Sequence, residues 1–221
     1  FAFLNELSAM PELHPHSLMI SKDDKIILEC EFYPYRQDIW HVSHSLCKSL
    51  TGLAVGLMID DGVMNLDDKI TDVFSKRSFR LDFAKQKDIT IRHLLTMSAG
   101  VAFNELGSVT YEDWAEGFFS AGIKFAPGTK FMYNSMNSYM LSAAIRELTG
   151  RIFSPMGITE IFWETCPRGI TNGGWGLYMK IEDLMKFGKL FLDHGAWRGK
   201  QLISEKWISI STEKQIDSSP A

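Results

Sequence analysis

Hydrophobic and polar positions divide this chain into one short β-type region followed by a mostly helical remainder. In SLMISKDDKIILECEF (17–32), two apolar runs rich in Ile and Leu flank the polar turn SKDDK, which predicts a β-hairpin. The aromatic FYPYRQDIW reads as a loop. After it, Leu46, Leu50, Leu53 and Leu57 recur at helical spacing, with Val55, Met58 and Ile59 covering the other faces. A helix that is apolar nearly all round belongs in a protein centre. Gly52 and Gly56, one turn apart, predict a close approach by another element, and Gly62 predicts the stop.

Shorter elements follow. NLDDKITDVF (65–74) predicts a short helix capped by Asp67 or Asp68, and DITIRHLLTMSAG (88–100) one capped by Thr90 and stopped by Gly100. TYEDWAEGFFSAG (110–122) reads as a third amphipathic helix. APGTKFMYNSMNSYMLSAAIRELTG (126–150) reads as a Pro-Gly turn, an extended stretch and a helix ending at Gly150. Residues 181–192, IEDLMKFGKLFL, predict an amphipathic helix, and ISEKWISISTEKQ (203–215) a last one. SKRSFR (75–80) reads as a solvated loop. No repeat or low-complexity tract interrupts the pattern.

Composition narrows the function classes. The 221 residues are 45% hydrophobic and carry a net charge of -4, with 15 Phe, 6 Trp and 6 Tyr, so a globular core is expected rather than disorder. No cluster of Lys or Arg marks a nucleic-acid face. The apolar run Leu53–Ile59 is too short to span a bilayer, which takes about 20 residues. Cys30, Cys47 and Cys166 form no C-x-x-C pair, so neither a disulfide framework nor a zinc ribbon is indicated. Unpaired cysteines and the lack of a visible signal peptide lean toward a cytoplasmic protein. The chain opens on Phe1 rather than Met, as at a processing or cloning boundary.

The candidate chemistry sits where the central helix begins. Ser45 and Lys48 are i and i+3, so their side chains share a face. A serine in the first turn lies at the positive end of the helix dipole, which favours an alkoxide or oxyanion. A lysine desolvated by apolar surroundings tends toward the neutral amine, a base able to activate that serine. One S-x-x-K match is expected by chance about once in a chain of this length. A second, Ser211 and Lys214, lies in a polar segment with nothing to desolvate its lysine.

Larger blocks decide between them. HSLCKSLTGLAVGLMIDDGVMNLDDKITDVF, ITIRHLLTMSAGV, FAPGTKFMYNSMNSYMLSAAIRELTG and GGWGLYMKIEDLMKFGKLFLDHG occur in that order. Together they resemble the penicillin-recognising serine hydrolases: class C β-lactamases, DD-peptidases and related esterases, including the nylon-oligomer-hydrolase branch. The resemblance runs from about residue 17 to 210. It implies an α+β fold: an antiparallel sheet flanked by helices, a mostly helical second lobe, and the site between them. The implied division is 1–65 as the sheet-side lobe with the hairpin and nucleophile helix, 66–192 as the helical lobe, and 193–221 as a C-terminal helix leading back to the sheet.

The resemblance also implies roles. Ser45 is the acylated nucleophile, Lys48 its base, and Tyr133 the proton relay. The Ser45 backbone N–H supplies half of an oxyanion hole. Ser135 falls where β-lactamases of this group carry Asn, which points to the esterase branch; with Trp175 it is a candidate substrate contact. The expected substrate is a small ester, amide or lactam, with no metal or organic cofactor. Without the resemblance, Tyr133 reads as an ordinary aromatic near a turn, and Trp175 as packing. The family's third motif, a Lys-Thr-Gly or His-x-Gly strand, is not found before Ala221, and LTGRIFSPMGI joins two blocks with a helical segment missing. These departures keep a non-catalytic binding module open as an alternative. His41 and His44 lack an evident third ligand for a metal. His14 and His16 read as exposed loop, His93 as packing, and Cys47 as core.

Overall fold

A computed structural model describes residues 2–75, 85–145 and 151–218. The SKRSFR loop past its first residue, and the helix end at Gly150, lie outside them. An N-terminal helix α1 (Ala2–Ser8), for which the sequence pattern gave no signal, precedes the hairpin and buries none of its residues. The hairpin pairs β1 (Ser17–Lys22) with β2 (Lys25–Glu31), antiparallel, with an irregularity between Ile20 and Ser21. Its turn places Asp23 and Asp24 at φ 49° and 62°. Two left-handed residues match the twist of the flanking strands, and Asp tolerates that region better than most side chains.

β3 (His41–Val42) leads through a 3₁₀ turn, His44–Leu46, into α2 (Cys47–Asp60). Cys47, Leu50, Leu53, Ala54, Val55 and Leu57 are buried, and Met58 and Ile59 pack on the core from its edge. Each such Leu contributes about 1.5–3 kcal/mol by leaving water. Gly56 meets the expected neighbour, since a methyl group built there would overlap the Trp207 indole. Gly52 does not: a Cβ there would meet open space, and its carbonyl oxygen accepts the Trp207 Nε1–H at 3.1 Å.

α3 (Ile70–Val73) starts after Lys69, not after Asp67 or Asp68. The Asp68 carboxylate instead accepts the backbone N–H of Asn65 at 2.7 Å, so it closes the preceding turn. α4 (Ile91–Leu95) carries the expected Thr90 cap, but it ends before Gly100. Gly100 has another duty: at φ 72° it passes so near Phe125 that a Cβ would stand 2.5 Å from that carbonyl oxygen. α5 (Glu105–Ser108) and α6 (Trp114–Ser120) follow. α6 is capped by Asp113 and is more buried than an amphipathic helix, with Trp114, Ala115, Phe118 and Phe119 all inside. α7 (Ser135–Ile145) is buried along nearly its whole length and packs on α2, α4 and α6.

The remaining strands are β4 (Phe162–Trp163), β5 (Leu177–Met179), β6 (Ala196–Trp197) and β7 (Lys200–Gln201). Among the described residues there is no single sheet. The hairpin, a β3-β5-β4 sheet and a β6-β7 ribbon are separate, all antiparallel. α8 (Ile181–Leu192) matches its predicted span. It packs along β1, and Lys189 reaches both Asp24 of the hairpin turn and Asp193. α9 (Glu205–Thr212) is capped by Ser204 and lays Trp207 against α2. The architecture is α+β, with helices packed around α2 and α7 and small sheets at their margins. Among the described residues no helix is long and apolar enough to cross a membrane.

Candidate active site

The sequence delivers Ser45 by a strained approach. His41 and Val42 are held in register with Met179 and Tyr178, and the Ser43 N–H extends this pairing to Leu177 O at 2.8 Å. The chain then turns sharply at His44, whose φ of 45° is unusual for a residue with a side chain. Ser45 follows in the 3₁₀ turn and is exposed, while Cys47 is fully buried. The serine therefore sits at the protein surface, at the entry to a helix that runs into the core.

Lys48 lies one turn on. Its Nζ is 3.0 Å from Ser45 Oγ and donates to Gly174 O at 2.5 Å. Tyr133 arrives from the extended stretch before α7 and donates its phenolic O–H to Ser45 Oγ at 2.6 Å. Lys48 Nζ also stands 4.9 Å from the Tyr133 ring centroid. Lys48, one turn away, and Tyr133, far along the chain, thus converge on the Ser45 oxygen. Burial pushes the Tyr133 phenol up, but hydrogen bonds with Lys48 and Ser45 and the Lys48 charge outweigh it, so the phenol lies below its ordinary value of 10.0. Among the smaller contributions is the hydroxyl of Ser135.

Two glycines that sequence reading left unassigned hold the lysine. In the loop before β5, Gly173 O accepts the Thr51 hydroxyl at 2.7 Å, and Gly174 O accepts Lys48. Both glycines are wedged against α7. A Cβ on Gly173 would stand 2.7 Å from Ser138 O and from Ser142 Cβ, and one on Gly174 would stand 2.9 Å from Ser135 O. Gly173 also has φ 68°. Only glycine lets this loop slot against α7 with the Gly173 carbonyl on Thr51 and the Gly174 carbonyl on Lys48. The adjacent glycines of ITNGGWG were the available signal.

Of the other candidates, Ser135 bears on this centre through the Tyr133 phenol. Ser135 opens α7 and is only 4% exposed, so it lies beneath Tyr133 rather than on an open wall. Trp175 is half-buried and stacks on Trp114, centroids 5.5 Å apart, while its carbonyl accepts the Trp163 Nε1–H at 2.9 Å. His41 pairs with His16, not with His44. His93 packs, as expected, and serves a cap: its Nδ1 accepts the Thr90 N–H at 3.2 Å. Cys47 is core, with its thiol pushed up to about 12, first by burial. Lys214 faces Asp217 at 4.0 Å, so the second S-x-x-K makes no Ser–Lys contact. The three cysteines are free. Beside Lys48 opens a cavity of about 540 Å³, walled by Leu53, Met97, Phe131, Trp207 and Ile210.

A model of the beta-lactamase family matches residues 9–218, and the chain belongs to that family. A comparison with curated protein sequences finds no match. Solved structures do resemble it. One is a Bacillus anthracis protein described as a 6-aminohexanoate-dimer hydrolase, with TM-score 0.77, 20% identity, and coverage of 94% of this chain and 61% of that one. A Bacillus halodurans penicillin-binding protein aligns at TM-score 0.72 and 19% identity, covering 97% and 79%. The D-amino acid amidase of Ochrobactrum anthropi SV3 aligns at 0.70 and 17%, covering 94% and 72%. These likenesses establish the fold, and the chain spans 61% of the length of the first of them.

Proposed function

We propose that this protein is a serine hydrolase that cleaves a small ester or amide through an acyl-enzyme on Ser45. The observation that carries this reading is the convergence of Lys48 Nζ, at 3.0 Å, and Tyr133 Oη, at 2.6 Å, on Ser45 Oγ. A nucleophile flanked by two proton-transfer groups within hydrogen-bond reach is the geometry covalent catalysis needs.

In acylation, Lys48 as the free amine accepts the Ser45 proton while Oγ bonds to the substrate carbonyl carbon. The carbonyl oxygen gains the negative charge, and the Ser45 N–H is one donor to it. The C–O or C–N bond then breaks, and Tyr133 gives its proton to the departing oxygen or nitrogen. The proton held on Lys48 restores the phenol. In deacylation, water loses a proton to the same pair, attacks the acyl carbon and releases the acid, and Oγ regains its proton.

The preference for an ester or small amide over a lactam rests on the sequence resemblance, which aligns Ser135 with the Asn of β-lactamases in this group. A panel of p-nitrophenyl esters, small amides and nitrocefin, run on wild type, Ser45→Ala, Lys48→Ala and Tyr133→Phe, tests the assignment. Turnover of esters lost in all three variants supports it. Nitrocefin hydrolysis outrunning every ester would make a β-lactamase or DD-peptidase the better reading. Ligand binding without turnover on any substrate would favour a binding module.

A further inference from the structure

A pair of histidines stands apart from the reaction centre, on the segment leading into it. His16 immediately precedes β1, and its carbonyl accepts the Phe32 N–H at 2.9 Å. His41 opens β3, in register with Met179 of β5. Their Nδ1 atoms are 3.2 Å apart. Tyr35 stacks on the His16 ring with centroids 3.7 Å apart, and lies 5.8 Å from that of His41. Both backbones are fixed by strand pairing and both rings by an aromatic neighbour, so the pair is presented rather than floppy.

We propose that His16 and His41 form a binding site for a divalent transition ion of the zinc type, held by the two Nδ1 atoms. Such an ion bonds imidazole nitrogen at about 2.0–2.1 Å, and two of these bonds at a tetrahedral angle set their nitrogens roughly 3.3 Å apart. The observed 3.2 Å is that bite. In the metal-free protein the same spacing is kept by one proton, donated from one Nδ1 to the other. On binding, the donor ring changes tautomer: its hydrogen moves by way of solvent from Nδ1 to Nε2, so both Nδ1 atoms become ligands, each ring carries its hydrogen on Nε2, and the neutral pair releases no net proton.

The surroundings suit a cation. Burial, then the neighbouring His16, holds His41 below its ordinary value of 6.5, which favours the neutral ring that coordination requires. Glu182 of α8 acts on His41 in the opposite sense, as an anion that favours positive charge beside the ring. His16 is exposed, which gives an ion entry from solvent. Among the described residues no group of three or more His, Cys, Asp or Glu converges, so water fills the remaining positions and the affinity is that of a two-imidazole site. Occupancy ties the base of the hairpin to the strand that runs through Ser43 into Ser45.

Chelator-stripped protein titrated with zinc chloride by calorimetry tests this. One saturable site is expected near pH 7.5, weakened at least about tenfold in His16→Gln and in His41→Gln, and unchanged in His14→Gln and His44→Gln. A second measurement needs no variant: zinc should slow diethyl pyrocarbonate modification of His16 and His41, mapped by mass spectrometry, and leave His14 and His44 as reactive as before. Absence of both saturable binding and protection overturns the proposal. So does wild-type affinity in the His16→Gln and His41→Gln proteins.

Discussion

The carbonyl oxygen of Gly174 receives the Lys48 side chain at 2.5 Å, closer than Lys48 stands to Ser45. The lysine is thus aimed by a loop that reaches the site only because residues 173 and 174 lack side chains. Gly174→Ala forces the loop off α7 and moves that carbonyl. The expected cost is about 1–3 kcal/mol of stability and, from misplacing Lys48, a fall in kcat of about 100-fold with KM little changed. Steady-state kinetics on a protein confirmed folded by circular dichroism decides it, and an unchanged kcat would show that the carbonyl does not position the lysine.

Tyr133 should titrate early. Its folded-state value lies below the 10.0 of the unfolded chain, so the fold favours the phenolate. The stability this contributes is fully present above pH 10.0 and is lost as pH falls through the folded value. For catalysis the direction reverses: Tyr133 must be protonated to serve a leaving group, so the rate declines on the alkaline side below pH 10.0. Ultraviolet absorbance should show one phenolate forming ahead of the others in wild type and missing in Tyr133→Phe. Tyr133→Phe should also lower kcat by about 100- to 10,000-fold. Superimposable absorbance titrations would remove this role.

The Thr90–His93 cap makes stability sensitive to acid. Thr90 Oγ1 accepts the His93 N–H at 3.3 Å, and His93 Nδ1 accepts the Thr90 N–H at 3.2 Å. The second bond needs an unprotonated Nδ1. Burial, with Lys69 next, holds His93 below 6.5 in the folded state. Its contribution is therefore whole above pH 6.5 and is lost as pH falls through the lower folded value. Melting temperatures measured across this range should fall more steeply for wild type than for His93→Ala. Thr90→Ala should cost about 1 kcal/mol at neutral pH.

Trp207 pins the C-terminal helix to the central one. Its indole lies over Gly56 and donates to Gly52 O at 3.1 Å, and the side chain is 6% exposed. Trp207→Ala should destabilise by about 3–5 kcal/mol. Gly56→Ala should destabilise by about 1–3 kcal/mol through overpacking. Urea unfolding of both gives the comparison, and a Gly56→Ala protein as stable as wild type would mean that α9 can shift without loss.

Local patterns made much of this structure readable. The apolar periodicity of IEDLMKFGKLFL marked α8 to its ends, the Thr90 cap followed from one side chain, and the polar break in SLMISKDDKIILECEF located the hairpin. What stayed hidden depends on partners far along the chain. Asp68 looked like a cap because nothing local revealed that it would accept the Asn65 N–H. Two-residue strands such as β3 have no periodicity, and its partner β5 lies far downstream. Within the site, Ser45, Lys48 and Tyr133 carry side-chain chemistry that a motif can display. Gly173 and Gly174 act through backbone carbonyls, so the adjacent glycines of ITNGGWG mark a close approach without naming what those carbonyls accept.

The central claim is that Ser45 is an activated nucleophile. Intact-protein mass before and after treatment with a fluorophosphonate probe measures this directly, on wild type and on Ser45→Ala. A single covalent adduct on wild type, mapped to Ser45 and missing from Ser45→Ala, is the predicted result. No adduct on wild type, or an adduct that persists in Ser45→Ala, would contradict it.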